Sequence, residues 1–214
     1  MEIFVDIAKI NEKNIKIFNC FFFSDLEKYG IKKVFGWDKR KNVFKFDKIF
    51  LPVNLPNHWI CYEINMNQKE IFQYDSLSNQ VDNLRSNLIM DYLFVKQKFF
   101  EFYSSFTTKI DLVDEIDKLE EKFEQEKENE KKELNKLLEQ KNPRNGKKWV
   151  QFRINSPKDI PKQKNGFDCG VFTLYCILYR LFEKEFNYNQ NNMRELKKYL
   201  LHLLILILEK NGFL

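Results

Sequence analysis

One segment of the sequence combines a turn, a cysteine and the start of an apolar run. It reads Gln-Lys-Asn-Gly-Phe-Asp-Cys-Gly over residues 163–170 and continues into the apolar residues 171–179. We expect that run to be a buried helix with Cys169 in its first turn. Unpaired backbone N–H groups and the helix dipole favour a thiolate there. Cys169 is therefore a candidate nucleophile, although a free cysteine is most often one more small buried residue.

A cysteine nucleophile needs a base, and the chain has two histidines, His58 and His202. His202 lies inside an apolar helical pattern, where a position at the edge of the core is the simplest interpretation. His58 begins a strand pattern, and Asp75 ends the next one. If these strands form a hairpin with its turn centred on residues 66–67, His58 and Asp75 face one another with Cβ atoms about 5 Å apart. Asp75 would then orient the imidazole, giving a His, Asp, Cys set in chain order.

The hairpin belongs to a run of three predicted strands. Alternating apolar residues mark them at 47–54, 58–64 and 70–75. The register described above also places Glu63 opposite Glu70. A bulge or a longer turn would relieve that contact between like charges.

Helical spacing of apolar residues marks other parts of the core. It predicts one or two amphipathic helices over residues 1–30 and a further helix over 81–102. Residues 149–154 return to a strand pattern. At 214 residues, 43% hydrophobic and 16% aromatic, the chain can bury one good core and is most simply one domain.

A charged segment of different character occupies about residues 109–146. Its apolar positions, beginning at Leu112, repeat at 4-3-4 spacing, which predicts a two-helix hairpin or a coiled-coil arm. Residues 114–141 contain 11 acidic and 7 basic side chains, so their net charge is −4 and the remainder of the chain carries +9. We interpret the segment as a solvated helical insertion in preference to a dedicated partner-binding arm.

Charge and cysteine content restrict the class of protein. The net charge is only +5 and no nucleic-acid signature is present, so we interpret the basic, aromatic stretch 32–48 as a solvated surface. The first residues are acidic where a signal peptide is basic, and the apolar run 199–208 is too short to span a bilayer. Four cysteines without a C-x-x-C arrangement argue against disulfides and zinc. We expect an intracellular protein of the nucleus or cytoplasm that needs no cofactor or metal and binds neither nucleic acid nor membrane.

The order of these motifs resembles the Ulp/sentrin-specific protease family, whose members are cysteine proteases that process SUMO and related ubiquitin-like modifiers. The resemblance rests on His58-Trp59, Tyr74 to Leu77 and Pro161 to Phe172, and extends over 19–23, 48–54 and the strand at Trp149. It therefore covers nearly everything except the charged insertion. An H-W, a Y-D-S-L and a Q-x-N-G-x-D-C-G in the correct order and spacing form a specific signal.

The resemblance implies an α+β, papain-like cysteine protease fold of the Ulp type, with a central mixed sheet, flanking helices and an inserted charged helical arm. It also implies Cys169 as the nucleophile, His58 as the general base and Asp75 as the carboxylate that orients it. Gln163 would donate to the oxyanion together with the backbone N–H of Cys169. Trp59 would line the narrow tunnel for a Gly-Gly tail, and the simpler alternative for it is a core tryptophan.

The sequence departs from the family pattern in two places. The insertion is longer than the usual connection, and the family's N-terminal Trp-Leu-x-Asp element, which supplies a second tunnel tryptophan, would fall just before Met1. We expect residues 1–214 to be a single Ulp-type domain that is either a fragment of a longer protein or an incomplete gene model. Substrate clamping would be weaker without that element.

These observations predict a monomeric peptidase or isopeptidase that cleaves after the Gly-Gly C-terminus of SUMO or a related ubiquitin-like modifier. Two alternatives remain open. One is a modifier-binding module without catalysis, and the other is a thiol enzyme with the same triad, such as an acetyltransferase or a viral-type peptidase. An acetyltransferase would require a CoA phosphate site, and the sequence has no clear one.

Overall fold

The computed structural model of the chain describes a large part of its residues. The described residues are 14–37, 42–107, 128–129, 132, 135–136, 143–144 and 149–210. Most of the predicted insertion at about 109–146 therefore lies outside them, as do residues 1–13 of the predicted N-terminal helices. The chain divides into two compact units. The first consists of Met1–Ser24, Phe46–Asp82 and Phe152–Leu214, and the second of Asp25–Lys45 and Asn83–Gln151.

The first unit contains a five-stranded mixed sheet with the strands in sequential order. The strands are β1 (Ile15–Ile17), β2 (Lys48–Leu55), β3 (His58–Asn65), β4 (Glu70–Tyr74) and β5 (Arg153–Asn155). The outer pairs β1–β2 and β4–β5 are parallel, whereas β3 is antiparallel to both of its neighbours. β3 is thus the central strand. Its last six residues are buried, and its less buried start is His58.

Five helices are described over their whole length, and the described residues 128–129, 132 and 135–136 are also helical. The five are α1 (Phe21–Tyr29), α2 (Ile31–Val34), α3 (Asn83–Thr107), α4 (Cys169–Leu181) and α5 (Met193–Lys210), and 3-10 turns occur at Val43–Lys45 and Gln190–Asn192. None of the helices in these parts of the chain is long and apolar enough to cross a membrane. The mixed sheet with helices beside it agrees with the predicted α+β class.

Residues 15–17 form a strand, so the predicted helical interpretation of residues 1–30 is wrong there. Ile15, Lys16 and Ile17 pair in parallel with the start of β2. In a segment of three residues, the alternation of apolar and polar residues typical of a strand cannot be distinguished from helical spacing. Pairing with β2 at the edge of the sheet determines its conformation. The helix α1 starts afterwards at Phe21, whose backbone N–H donates to the side chain of Asn19 at 2.9 Å.

The β3–β4 hairpin has a longer turn than the sequence predicts. Asn65 pairs with Glu70, which leaves the four residues 66–69 in the turn. The register is therefore shifted by two residues, and Glu63 lies opposite Phe72. The longer turn removes the repulsive contact between Glu63 and Glu70 that the shorter turn would have created.

A buried ion pair joins β3 to α4 within the core of the first unit. The apolar residues of this core cluster are Ile17, Phe50, Cys61, Tyr74, Ile160, Cys176, Ile177 and Leu181. Glu63 of β3 is completely buried, and Arg180 of α4 donates to its two carboxylate oxygens at 2.7 and 3.1 Å. The Tyr74 hydroxyl donates to the same carboxylate at 2.9 Å. Burial and the adjacent Glu63 charge raise the pKa of Tyr74, so its hydroxyl remains a neutral donor.

The second unit has a cluster of buried apolar residues that includes part of α3. The cluster consists of Phe35, Phe94, Val95 and Phe99. Lys96 of α3 is also completely buried, and its ammonium donates to the Phe35 carbonyl oxygen at 2.8 Å. The same ammonium lies 4.1 Å from the centroid of the Phe35 ring. A carbonyl and an aromatic face together compensate part of the cost of burying the charge.

We expect Arg180→Met to destabilise the first unit by about 3–5 kcal/mol, because it leaves the Glu63 carboxylate buried without its cation. The matched control is Arg153→Met. Arg153 makes a 2.8 Å ion pair with Glu70 on the same sheet, but its side chain is 79% exposed. That exposed pair should contribute at most about 1 kcal/mol. Urea unfolding followed by circular dichroism compares the two variants, and equal losses would contradict the importance of the buried pair.

Candidate active site

His58 and Asp75 are hydrogen-bonded at one end of the sheet. The Nε2 atom of His58 and the Oδ1 atom of Asp75 are 2.7 Å apart. In the shifted register, Asp75 continues β4 to a position opposite Ile60, so His58 and Asp75 are diagonal neighbours on one face. The predicted direct pairing across the ladder is therefore wrong because of the longer turn. The two side chains nevertheless meet, since diagonal neighbours remain within reach.

The backbone that follows β4 holds the Asp75 carboxylate in place. Its Oδ1 atom accepts the N–H groups of Leu77 at 2.8 Å and Ser78 at 3.2 Å. The ammonium of Lys162 donates to the carbonyl oxygens of Asp75 and Ser78, each at 2.7 Å. Burial lowers the pKa of Lys162, and attraction to Asp75 offsets only part of that effect. The imidazole of His58 thus meets an acceptor whose position is already fixed.

The other imidazole nitrogen of His58 is unoccupied in the described part of the chain. The Nδ1 atom of His58 is buried and has no hydrogen-bond partner among the described residues. An ionised carboxylate can only accept a hydrogen bond, so in the neutral imidazole the proton resides on Nε2 and the lone pair on Nδ1. Asp75 therefore selects the tautomer in which Nδ1 can accept a proton.

Cys169 is the first residue of α4 and is only 6% exposed. The preceding residue, Asp168, makes no side-chain hydrogen bond to the start of the helix. A Cβ placed on Gly170 would lie 3.7 Å from the Cδ1 atom of Trp59. Trp59 follows His58, and Gly170 follows Cys169. The start of β3 and the start of α4 are therefore neighbours, with His58 on one and Cys169 on the other.

The side chain of Gln163 is held by hydrogen bonds at both ends of its amide. Its Oε1 atom accepts from the Ser76 hydroxyl at 2.5 Å, and its Nε2 atom donates to the carbonyl oxygen of Asn165 at 2.5 Å. The backbone N–H of Gln163 also donates to the Ser76 carbonyl oxygen at 3.1 Å. Because Nε2 carries two hydrogens, one of them remains for another acceptor. The amide plane is fixed before any substrate arrives.

Polar contacts also shape the turn that leads to Cys169. The Oδ1 atom of Asn165 accepts the N–H groups of Phe167 at 3.2 Å and Asp168 at 3.1 Å. Its Nδ2 atom donates to the Asp168 carboxylate at 2.7 Å, and Gln190 donates to the same oxygen at 2.6 Å. Lys197 of α5 forms an ion pair with the other oxygen. The residue before the thiol is thus surrounded by donors.

Sequence reasoning selected His58, Asp75 and Gln163 but assigned no role to the residues that hold them. Ser76 and Asn165 belong to the motif runs, so a search for hydroxyl and amide groups beside the selected residues could have found them. Lys197 carries no such signal. It lies 28 residues after Cys169 on a helix whose packing the sequence does not define.

A mixed sheet with a cysteine at a helix start and a histidine–carboxylate pair at the ends of two strands is the arrangement of a papain-like cysteine protease. The sequence model described as the Ulp1 protease family, C-terminal catalytic domain, matches residues 2–111 and 125–211. The chain belongs to the Ulp1 protease family. The family predicted from the motifs is confirmed.

Curated relatives show the same family relationship at low identity. Ubiquitin-like-specific protease 1 of Saccharomyces cerevisiae is 24% identical over 208 residues, which cover 96% of this chain and 26% of that protein. A sentrin-specific protease of Caenorhabditis elegans is 27% identical over 175 residues, covering 81% of this chain and 19% of that protein. The chain thus spans about a quarter or less of the length of these relatives.

Solved structures share the fold. The SUMO protease Ulp1 with its catalytic cysteine oxidised to a sulfonic acid has a TM-score of 0.58 at 23% identity, covering 94% of this chain and 73% of that one. The C-terminal Ulp1 protease domain in complex with Smt3, the yeast orthologue of SUMO, has a TM-score of 0.55 at 23% identity, covering 89% and 67%. The predicted papain-like fold of the Ulp type is confirmed.

Proposed function

We propose that the chain is a cysteine peptidase or isopeptidase that cleaves after the C-terminal Gly-Gly of SUMO or a related ubiquitin-like modifier. The observation that carries the proposal is the 2.7 Å contact between His58 and Asp75, which leaves a buried Nδ1 without a partner among the described residues. The contact of Trp59 with the Gly170 position supports the proposal, because Trp59 adjoins His58 and Gly170 adjoins Cys169. A thiol, a base and an orienting carboxylate are the groups that acyl transfer to sulfur requires.

In the proposed mechanism, the Cys169 thiol gives its proton to Nδ1 of His58. The sulfur attacks the carbonyl carbon of the last glycine and forms a tetrahedral intermediate. That intermediate expels the amine, which takes the proton back from the imidazolium, and a thioester remains. Water then hydrolyses the thioester with His58 again acting as base. Asp75 stabilises the imidazolium and keeps its proton on Nε2.

Gln163 is the proposed side-chain donor to the oxyanion of each tetrahedral intermediate. One hydrogen of its Nε2 remains after the contact with Asn165, and the Ser76 hydroxyl prevents the amide from rotating. The backbone N–H of Cys169, at the start of α4, would be the second donor. Donors fixed in advance stabilise developing charge without the cost of reorienting during the reaction.

The substrate class follows from the family and from the position of Trp59. Relatives are named for ubiquitin-like modifiers, and one structural neighbour is a complex with the yeast orthologue of SUMO. Trp59 would form a wall of the channel that admits the two terminal glycines, because a residue without Cβ fits where larger ones do not. Free thiols persist in a reducing compartment, which favours the nucleus or cytoplasm as the place of action.

We expect Cys169→Ala to abolish cleavage of a SUMO precursor carrying residues beyond Gly-Gly, while binding of mature SUMO is retained. The thiol supplies the nucleophile, and recognition depends on other groups. The matched control is Cys20→Ala, which removes a free, partly exposed thiol. Cleavage is followed by gel electrophoresis and binding by calorimetry. Turnover by Cys169→Ala at the wild-type rate would contradict the assignment of the nucleophile.

We expect Gln163→Ala to lower kcat about 10²–10³-fold through the loss of one oxyanion donor. Ser76→Ala should lower kcat by up to about tenfold, because one neutral hydrogen bond that fixes the amide is lost. Ser78→Ala is the control on the same loop, since among the described residues the Ser78 hydroxyl accepts from the exposed backbone N–H of Gln80 and does not contact Gln163. Single-turnover rates separate these effects from binding. Wild-type rates for Gln163→Ala would show that another group serves the oxyanion.

A further inference from the structure

A buried carboxylate directly precedes the proposed nucleophile. Asp168 is 1% exposed and lies immediately before Cys169, at the start of α4. A negative charge at that position opposes formation of a thiolate on the next residue, because like charges in a poorly solvated site repel one another. The helix start favours a thiolate, and an uncompensated carboxylate beside it would cancel that effect.

Lys197 of α5 supplies the compensating charge. Its ammonium forms an ion pair with Oδ1 of Asp168, whereas Asn165 and Gln190 bring neutral amides to Oδ2. Within the described part of the chain, Lys197 is the positively charged partner of the Asp168 carboxylate, and the other two partners are neutral. Burial opposes ionisation of Asp168, but the ion pair with Lys197 and the hydrogen bonds from Asn165 and Gln190 outweigh it and hold the pKa of Asp168 below its usual value. The carboxylate is therefore charged at neutral pH and depends on Lys197 for neutralisation.

The same ammonium contacts a second residue of the nucleophile turn. The Nζ atom of Lys197 lies 5.2 Å from the centroid of the Phe167 ring, within the range of a cation–π contact. Phe167 is 74% exposed, so few other contacts hold its side chain. One side chain from α5 thus touches both residues that precede Cys169. This links the position of the thiol to a helix that contributes no group to the proposed chemistry.

We propose that Lys197 is a positioning residue that neutralises Asp168 beside the Cys169 thiol and steadies the turn that carries it, so that the start of α4 favours the thiolate. The inference rests on the proposed role of Cys169 as nucleophile. It concerns an interaction outside the His58–Asp75 pair and the Gln163 amide. A residue in this role changes how the thiol responds to pH, whereas a merely structural residue changes only stability.

The other charged groups of the proposed site have different partners. From β3 and the loop after β4 come His58 and Asp75, which bind one another. From the loop before the nucleophile turn comes Lys162, whose ammonium is bound to the carbonyl oxygens of Asp75 and Ser78. These groups are unchanged in a variant of Lys197. If the response of Cys169 to pH changes in such a variant, the cause is therefore the loss of the Lys197 charge that neutralises Asp168.

The test is the pH profile of alkylation of Cys169 by iodoacetamide, resolved from the other cysteines by peptide mass spectrometry. In Lys197→Met, the pH of half-maximal labelling should rise by about one unit because Asp168 is no longer neutralised. Lys197→Arg should restore the wild-type profile, since it keeps the charge. Lys198→Met is the control: Lys198 is an exposed neighbour on the same helix. Its profile should match the wild type.

Asp168→Asn should shift the labelling profile in the opposite direction, and it can be used if Lys197→Met does not fold. It removes the negative charge and leaves the cation, so half-maximal labelling should move to lower pH. An unchanged profile in Lys197→Met, or an unchanged profile in Asp168→Asn, would overturn the inference. Wild-type Cys169 that labels no faster than Cys20 at pH 6.5 would instead overturn the proposed nucleophile. The two failures are therefore distinguishable.

Discussion

The buried contact between Glu63 and Arg180 is the constraint on which the position of the site depends. Glu63 lies five residues after His58 on β3, a length of about 17 Å at the rise of a strand. Arg180 lies eleven residues after Cys169 on α4, which is also about 17 Å at the rise of a helix. Two elements joined at equal distances from their starts bring those starts together when they run in the same direction. The contact of Trp59 with the Gly170 position agrees with this geometry.

The residues around the site are connected by a continuous network of hydrogen bonds. Ser76 follows Asp75 and binds Gln163, while Lys162, the residue before Gln163, binds the Asp75 carbonyl oxygen. These two contacts join the segment at residues 75–76 to the segment at residues 162–163, which is distant in sequence. Asn165 continues the network to the turn before the thiol. Such a network lowers the freedom of the reacting groups before substrate binds.

The sequence was sufficient to select candidate residues for the site but not the way in which His58 and Asp75 meet. His58, Asp75 and Cys169 stand out because histidine is scarce, strand patterns are clear and the cysteine begins an apolar helix. The register of the hairpin was predicted two residues out, since a turn at residues 66–69 has no strong sequence signal and alternation is preserved by a shift of two. β1 was too short to recognise. Lys197 reaches Asp168 through tertiary packing, which no local pattern encodes.

The most direct test of the account is the reaction of the chain with SUMO that carries an electrophile in place of its C-terminal carboxylate. The account predicts one covalent adduct, located at Cys169 by peptide mass spectrometry, which forms much more slowly in His58→Gln. Cys20, Cys61 and Cys176 should remain unmodified under the same conditions. Absence of an adduct from the folded wild-type chain, or an adduct on another cysteine at the same rate, would contradict the claim that Cys169 and His58 form a reactive pair.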